Sequence, residues 1–180
     1  MQASFAAKGN RALDENLGEP SSTPAADLAK GLEVRHPTLS RTGVFVDGTG
    51  TVLTTTEVLQ SCARITLDGR HAAAIAFRDD ALGIALLKPD TPLTPRAVAE
   101  LAPALPRLDS DVSMAGYSYE DKLDAPVISS GTFSEATGLN GEKELARLTL
   151  QTLPGDVGGA VLDGSGAMIG MLAPRKDEAG

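Results

Sequence analysis

From residue 42 onward the chain alternates short apolar runs with glycine turns, and this punctuation limits the fold more than any other feature. Residues 42–47 and 51–55 flank Gly48-Thr-Gly50, the pattern of a β-hairpin closed by a glycine turn. Residues 64–67 and 72–77 repeat it around Asp68-Gly69. Residues 84–88, Ile-Ala-Leu-Leu-Lys, read as a buried strand. The proline-rich stretch 89–110 reads as a loop over the surface. A second set of strands is expected at 111–117, 125–133, 144–152, 159–163 and 167–173, with Gly164-Ser-Gly166 as a tight turn between the last two. Two groups of short antiparallel strands joined by one longer loop predict an all-β double barrel.

Composition agrees with that reading. Nineteen Gly and eleven Pro supply many turns, and with 3% aromatics the core must be built from Val, Leu, Ile and Ala. At 180 residues the chain is expected to be one domain with an appendage. Its parts are an N-terminal segment and linker at 1–31, a first barrel at 32–88, an inter-barrel loop at 89–110, and a second barrel with a polar tail at 111–180. A net charge of -8 with no Lys/Arg run argues against nucleic acid or an anionic membrane as partner. The single cysteine, Cys62, rules out an internal disulfide. No apolar run is long enough to span a bilayer. Met1-Gln-Ala-Ser-Phe lacks the basic head and apolar middle of a leader, which fits a native start or a removed leader equally.

Residues 2–18 read as a short strand and a short helix stopped by Gly18. After a linker at 19–24, Thr23 and Pro24 are an N-cap and first helical residue for a helix through 25–30 that ends at Gly31. Residues 32–35 are a plausible first strand.

Residues 153–163, Leu-Pro-Gly-Asp-Val-Gly-Gly-Ala-Val-Leu-Asp, form a glycine loop running into an apolar strand. The stretch resembles the active-site loop of trypsin-like serine proteases, the HtrA/Deg branch in particular, where Gly-Asn/Asp-Ser-Gly-Gly-Pro precedes a strand. Gly155, Asp156, Gly158 and Gly159 match, while Val157 stands at the nucleophile position. The order of strands over 42–173 follows the same family, so the resemblance covers most of the chain. It implies a chymotrypsin-type double barrel and a triad of nucleophile, base and orienting carboxylate. The base of the family lies in Leu-Thr-Asn-x-His-Val, matched here by Leu53-Thr-Thr-Thr-Glu-Val58, so Glu57 stands in its place. The carboxylate lies in Asp-Ile-Ala-Leu-Leu, matched by residues 83–87, so Gly83 replaces it. The reading is therefore a pseudoprotease: a degenerate homologue that works by binding an extended peptide or protein partner, with no cofactor. Backbone amides around Gly155 and Val157 are expected to keep an oxyanion-type site.

Two rival readings stay open. One is an active hydrolase with a rearranged site using Glu57, Asp156 or Cys62. The other is a structural subunit of a larger assembly with the cleft unused. Against the first, Glu57 reads as a solvated rim carboxylate, Asp156 as an acceptor of loop amides, and Cys62 as a small buried hydrophobe. His36 and His71 fall at neither the base position nor a metal spacing, so no metal site is expected. Ser129 and Ser130, beside Gly131, resemble the family's Thr-x-Ser-Gly strand, which lines substrate or is structural. The loop 134–143 is polar and glycine-rich, a surface loop by default. Family analogy leans towards a periplasmic location.

Relatives continue past the strand at 167–173 into one more strand and a helix, and the piece that would do so here resembles residues 3–17. Residues 3–7 are expected to fill that last slot, in this copy or a neighbouring one, because an open edge invites pairing. Deleting residues 1–18 is then expected to cost most of the stability. The alternatives are a remnant of a preceding domain and a chance likeness.

Overall fold

The structure is a computed structural model, and it describes residues 37–60, 64–123 and 125–174. The expectations placed on residues 1–36 and on Cys62 lie outside the described residues.

The fold is all-β, as the glycine punctuation predicts. Strands β1 (Val44–Phe45), β2 (Val52–Thr55), β3 (Thr66–Leu67), β4 (His71–Asp79) and β5 (Ile84–Pro89) form one sheet, in the order β1-β2-β5-β4-β3. Strands β6 (Asp111–Gly116), β7 (Val127–Glu135), β8 (Arg147–Leu150), β9 (Ala160–Leu162) and β10 (Met168–Met171) form the other, in the order β10-β9-β6-β7-β8. All pairs are antiparallel. Each sheet is a curled half-barrel, so neighbouring strands are joined by hairpins wherever the sequence supplies a turn.

Alternation sets the faces. In β6, Val112 and Met114 are buried while Asp111 is exposed and Ser113 half-buried. They meet Phe133 of β7 and Val161 of β9 in the core of the second sheet, with Leu148, Leu150 and Ile169 packed round them. Burying a side chain such as Phe133 contributes roughly 2–3 kcal/mol. In the first sheet, Val52 pairs with Leu87 and Thr54 with Ala85, and all four are buried on one face. Residues 84–88 are not buried throughout: Ala85 and Leu87 are, Ile84 and Leu86 are half-buried, and Lys88 is exposed. A central antiparallel strand shows its two faces to different surroundings, so an apolar run does not guarantee burial on both.

The stretch between the sheets contains no strand but is fastened to them. Ala99 donates to the carbonyl of Phe45 at 2.9 Å, Met168 to that of Glu100 at 2.7 Å, and Ala102 to that of Met168 at 2.9 Å.

Candidate functional site

The glycine loop, residues 153–159, leads from β8 into β9 and is closed from within by Asp156. This carboxylate is fully buried. Its Oδ2 accepts the Leu153 amide at 2.7 Å and its Oδ1 the Ser118 hydroxyl at 2.6 Å. The Asp156 amide returns to the Leu153 carbonyl at 3.1 Å, and Gly159 donates to the Asp156 carbonyl at 2.8 Å. A buried carboxylate without such donors would be strongly disfavoured, so these bonds fix the loop's shape.

Thr42 fastens the loop to both sheets. Its amide donates to the carbonyls of Gly155 at 3.1 Å and Val157 at 3.0 Å, and its hydroxyl donates to that of Gly155 at 2.7 Å. The same hydroxyl accepts the Tyr117 amide at 2.8 Å, while the Thr42 carbonyl accepts the Thr54 hydroxyl at 2.9 Å. Glycine is required where these chains meet. Gly155 and Gly158 have φ of +95° and +89°, and a Cβ at either would strike backbone, that of Tyr117 and Glu120 or that of Thr42.

Two amides are left over. Among the described residues, the N–H groups of Gly155 and Val157 have no acceptor. Their direction follows from peptide planarity, because in a trans unit the N–H points opposite to the preceding C=O. The Pro154 carbonyl is held by the Tyr119 amide, which aims the Gly155 N–H the other way. The Asp156 carbonyl is held by Gly159, which does the same for Val157.

Glu57 stands in the short 3-10 turn Thr56–Leu59 that follows β2. Its Oε2 accepts the Arg41 Nε–H at 2.8 Å. Gly83 is its neighbour: the Gly83 carbonyl accepts the Thr56 amide at 3.0 Å, and Thr55 pairs with Ile84. A Cβ on Gly83 would meet open space. Arg41 and Thr42, consecutive in sequence, thus hold Glu57 on one side and the carbonyls of Gly155 and Val157 on the other. Glu57, Gly83, Asp156 and Val157 therefore belong to one bonded cluster. Glu57 and Asp156 share no partner in it: Glu57 is ion-paired at a half-exposed rim, Asp156 sealed inside its loop.

Ser129 and Ser130 lie elsewhere, in β7, opposite Met114 and Ser113 of β6 and two strands away from β9. His71 opens β4 and is exposed. Among the described residues no three His, Cys, Asp or Glu side chains are grouped to hold a metal ion, and no helix is long and apolar enough to cross a membrane.

No local pattern marks Arg41, Thr42, Ser118 or Glu120 as parts of the cluster. Thr42 reads locally as the first residue of a strand, and its decisive partners are 75 and 113 residues away. Arg41 also donates to Glu120 at 3.2 Å, 79 residues on. Such contacts leave no periodic or motif signal.

Residues 41–171 match the sequence profile of the trypsin-like peptidase domain, a span that holds every member of this cluster. Among solved structures, the fold is similar to that of a serine endoprotease from Yersinia pestis, with a TM-score of 0.62 and 22% identity. The likeness covers 77% of this chain and 49% of that one, so this chain accounts for about half the length of the protein it matches. A comparison with curated proteins gives no match.

Proposed function

The chain belongs to the trypsin-like peptidase family, and from that premise we propose that it binds extended peptide beside its glycine loop without cleaving it. The observation that carries this reading is a pair of amides, on Gly155 and Val157, with no acceptor among the described residues, beside a side chain with no nucleophilic atom. Two N–H groups of one loop, two residues apart, suit a peptide carbonyl oxygen. Cleavage needs an electron pair delivered to the carbonyl carbon and a base to take the proton. Val157 supplies no electron pair, Gly83 has no carboxylate, and Glu57 is engaged by Arg41 at 2.8 Å.

The edge of β10 extends the site. Leu172 turns its amide and carbonyl inward, to Gly159 and Gly158, both at 2.9 Å. By alternation the backbone groups of Met171 point away from the sheet, where an extended peptide can add as a further strand.

The test is turnover of a fluorogenic peptide library and of unfolded casein, beside binding of the same peptides by fluorescence anisotropy. The natural chain is expected to bind without cleaving, and Val157→Phe to abolish binding by filling the space beside the amides. The variant Val157→Ser/Glu57→His/Gly83→Asp serves as the comparison with a complete triad. Cleavage by the natural chain would overturn the proposal, and its loss in Glu57→Gln or Cys62→Ala would identify the residue that had taken over. Absence of both cleavage and binding would leave a structural subunit as the better reading.

A further inference from the structure

We propose that Arg41, Glu57 and Glu120 form an ionic clasp across the two half-barrels that holds the loop amides of the cleft in their binding direction. Glu57 is then a positioning residue that acts through Arg41. The regulatory meaning of the clasp rests on the peptide-binding reading above; its effect on the loop does not.

The clasp has two arms from different sheets. Glu57 follows β2, while Glu120 stands in the turn after β6. Arg41 donates Nε–H to Glu57 at 2.8 Å, and Nη1–H to Glu120 at 3.2 Å and to the Ser40 carbonyl at 3.1 Å. The side chains of Arg41, Glu57 and Glu120 are 19%, 26% and 44% exposed. The other ion pairs among the described residues differ in kind. Arg78–Asp80 joins residues two apart at 47% and 65% exposure, and Arg147–Glu135 spans 3.5 Å between paired strands. Exposed pairs of that sort contribute little. The Arg41–Glu57 pair is partly removed from solvent, and through Glu120, itself 44% exposed, Arg41 ties one sheet to the other.

Two members of the clasp, Arg41 and Glu120, each stand one residue away from a bond that orients the loop. Arg41 precedes Thr42, whose amide holds the Gly155 and Val157 carbonyls. Glu120 follows Tyr119, whose amide holds the Pro154 carbonyl and so sets the direction of the Gly155 N–H. Tyr119 and Glu120 are moreover consecutive non-glycine residues with φ of 61° and 62°. Such backbone is strained and persists only where its surroundings hold it. Here the holders are the Tyr119–Pro154 bond and the Arg41–Glu120 pair, with Gly155 packed against the Glu120 backbone. Releasing Arg41 removes one holder and lets the turn relax away from the loop.

The experiment is residue-resolved amide hydrogen exchange on the natural chain, Arg41→Met, Arg41→Lys and Glu120→Gln. Methionine keeps most of the aliphatic stem of Arg41 and removes its charge, so packing is largely retained while the clasp is lost. Exchange at the Thr42 and Tyr119 amides is expected to quicken about tenfold in Arg41→Met. The change should be smaller in Arg41→Lys, which keeps charge without the fork, and in Glu120→Gln, which loses one arm. Amides of Val112 and Met114 should be unaffected, as should Thr42 and Tyr119 in the control Arg78→Met. Raising NaCl to 1 M, where the Debye length is about 3 Å, should speed the two amides in the natural chain and leave Arg41→Met unchanged. Equal exchange in the natural chain and Arg41→Met, or acceleration spread over the whole chain, or indifference to salt, would each overturn the clasp. If exchange behaves as expected but no peptide binds, the clasp stands and the peptide reading falls.

Discussion

Two hairpins in this protein share one chemical device and differ in what lies beyond it. The β1–β2 hairpin turns on Asp47-Gly-Thr-Gly50 and the β9–β10 hairpin on Asp163-Gly-Ser-Gly166. In the first, Asp47 Oδ1 accepts the Thr49 amide and hydroxyl, both at 2.8 Å, and the Thr51 amide at 3.0 Å. In the second, Asp163 Oδ1 accepts the Ser165 amide at 2.8 Å, the Ser165 hydroxyl at 2.6 Å and the Ala167 amide at 3.1 Å. Each turn ends on a glycine in the left-handed region, at φ +94° for Gly50 and +87° for Gly166. The first tip is seated against the segment that joins the sheets, with Leu93 donating to the Thr49 carbonyl at 3.0 Å. The second tip has open space around Gly164 and Gly166. The hairpins also occupy matching places, at one edge of each sheet. Local chemistry makes both turns, and only the tertiary contact decides how much a change in either will cost.

The largest effect should separate the two glycines. A Cβ on Gly50 would lie 2.7 Å from that of Leu93, so Gly50→Ala adds overpacking to backbone strain and should destabilise by about 3 kcal/mol. Gly166→Ala meets strain alone and should cost about 1 kcal/mol. Urea unfolding of both variants measures the difference, and in a Leu93→Gly background, which removes the Cβ that clashes, Gly50→Ala should cost less than it does in the natural chain. Equal losses at the two glycines would mean that the seat on Leu93 contributes nothing.

The strands leaving the turns offer a second contrast. Five residues after each aspartate stands a buried apolar side chain, Val52 or Met168. Eight residues after, the second half carries Met171, half-buried, and the first half carries Thr55, which is 1% exposed. Among the described residues the Thr55 hydroxyl has no hydrogen-bond partner. Replacing it by the isosteric methyl of valine removes a desolvated polar group, so Thr55→Val should stabilise by about 1 kcal/mol. A loss of stability on thermal unfolding would show that the hydroxyl is satisfied after all.

These contrasts also mark how far the sequence could be read. Both hairpins were legible because Asp-Gly-x-Gly is a local signal, complete within five residues. The glycine loop was legible for the same reason, since Gly155 and Gly158 announce a backbone that no other residue adopts easily. What lay beyond reach was which side chains meet across the sheets. Thr42 looks like any strand-opening threonine until its bonds to Gly155 and Tyr117 are seen. Glu57 reads as a rim carboxylate in water, and only the fold brings Arg41 to it, with Glu120 on the other side. Residues 84–88 read as buried throughout and are not, because hydrophobicity alone does not say which face of a strand is covered.

Acid should produce the smallest effect, and in the same direction in both hairpins. Hydrogen bonds from the Thr51 and Thr49 groups hold the Asp47 carboxyl far below its ordinary range, and bonds from Ser165 lower that of Asp163 in the same sense. A carboxylate depressed in the folded state stabilises fully above its unfolded pKa, about 3.9, and loses that contribution as pH falls towards the folded value. Both turns should therefore weaken below about pH 4. Asparagine at either position keeps an acceptor oxygen but cannot titrate. Asp47→Asn should be less stable than the natural chain at pH 7, with the gap closing as the pH is lowered from 4. Asp163→Asn should show the same closing gap, because hydrogen bonds from Ser165 lower its carboxyl in the same direction. Both carboxylates are solvated, so the effects are small and are best read as differences in thermal midpoint across a pH series. A gap that stays constant from pH 7 to pH 3 would show that the aspartates stabilise their turns by shape alone, and the charge of the carboxylate would drop out of the account.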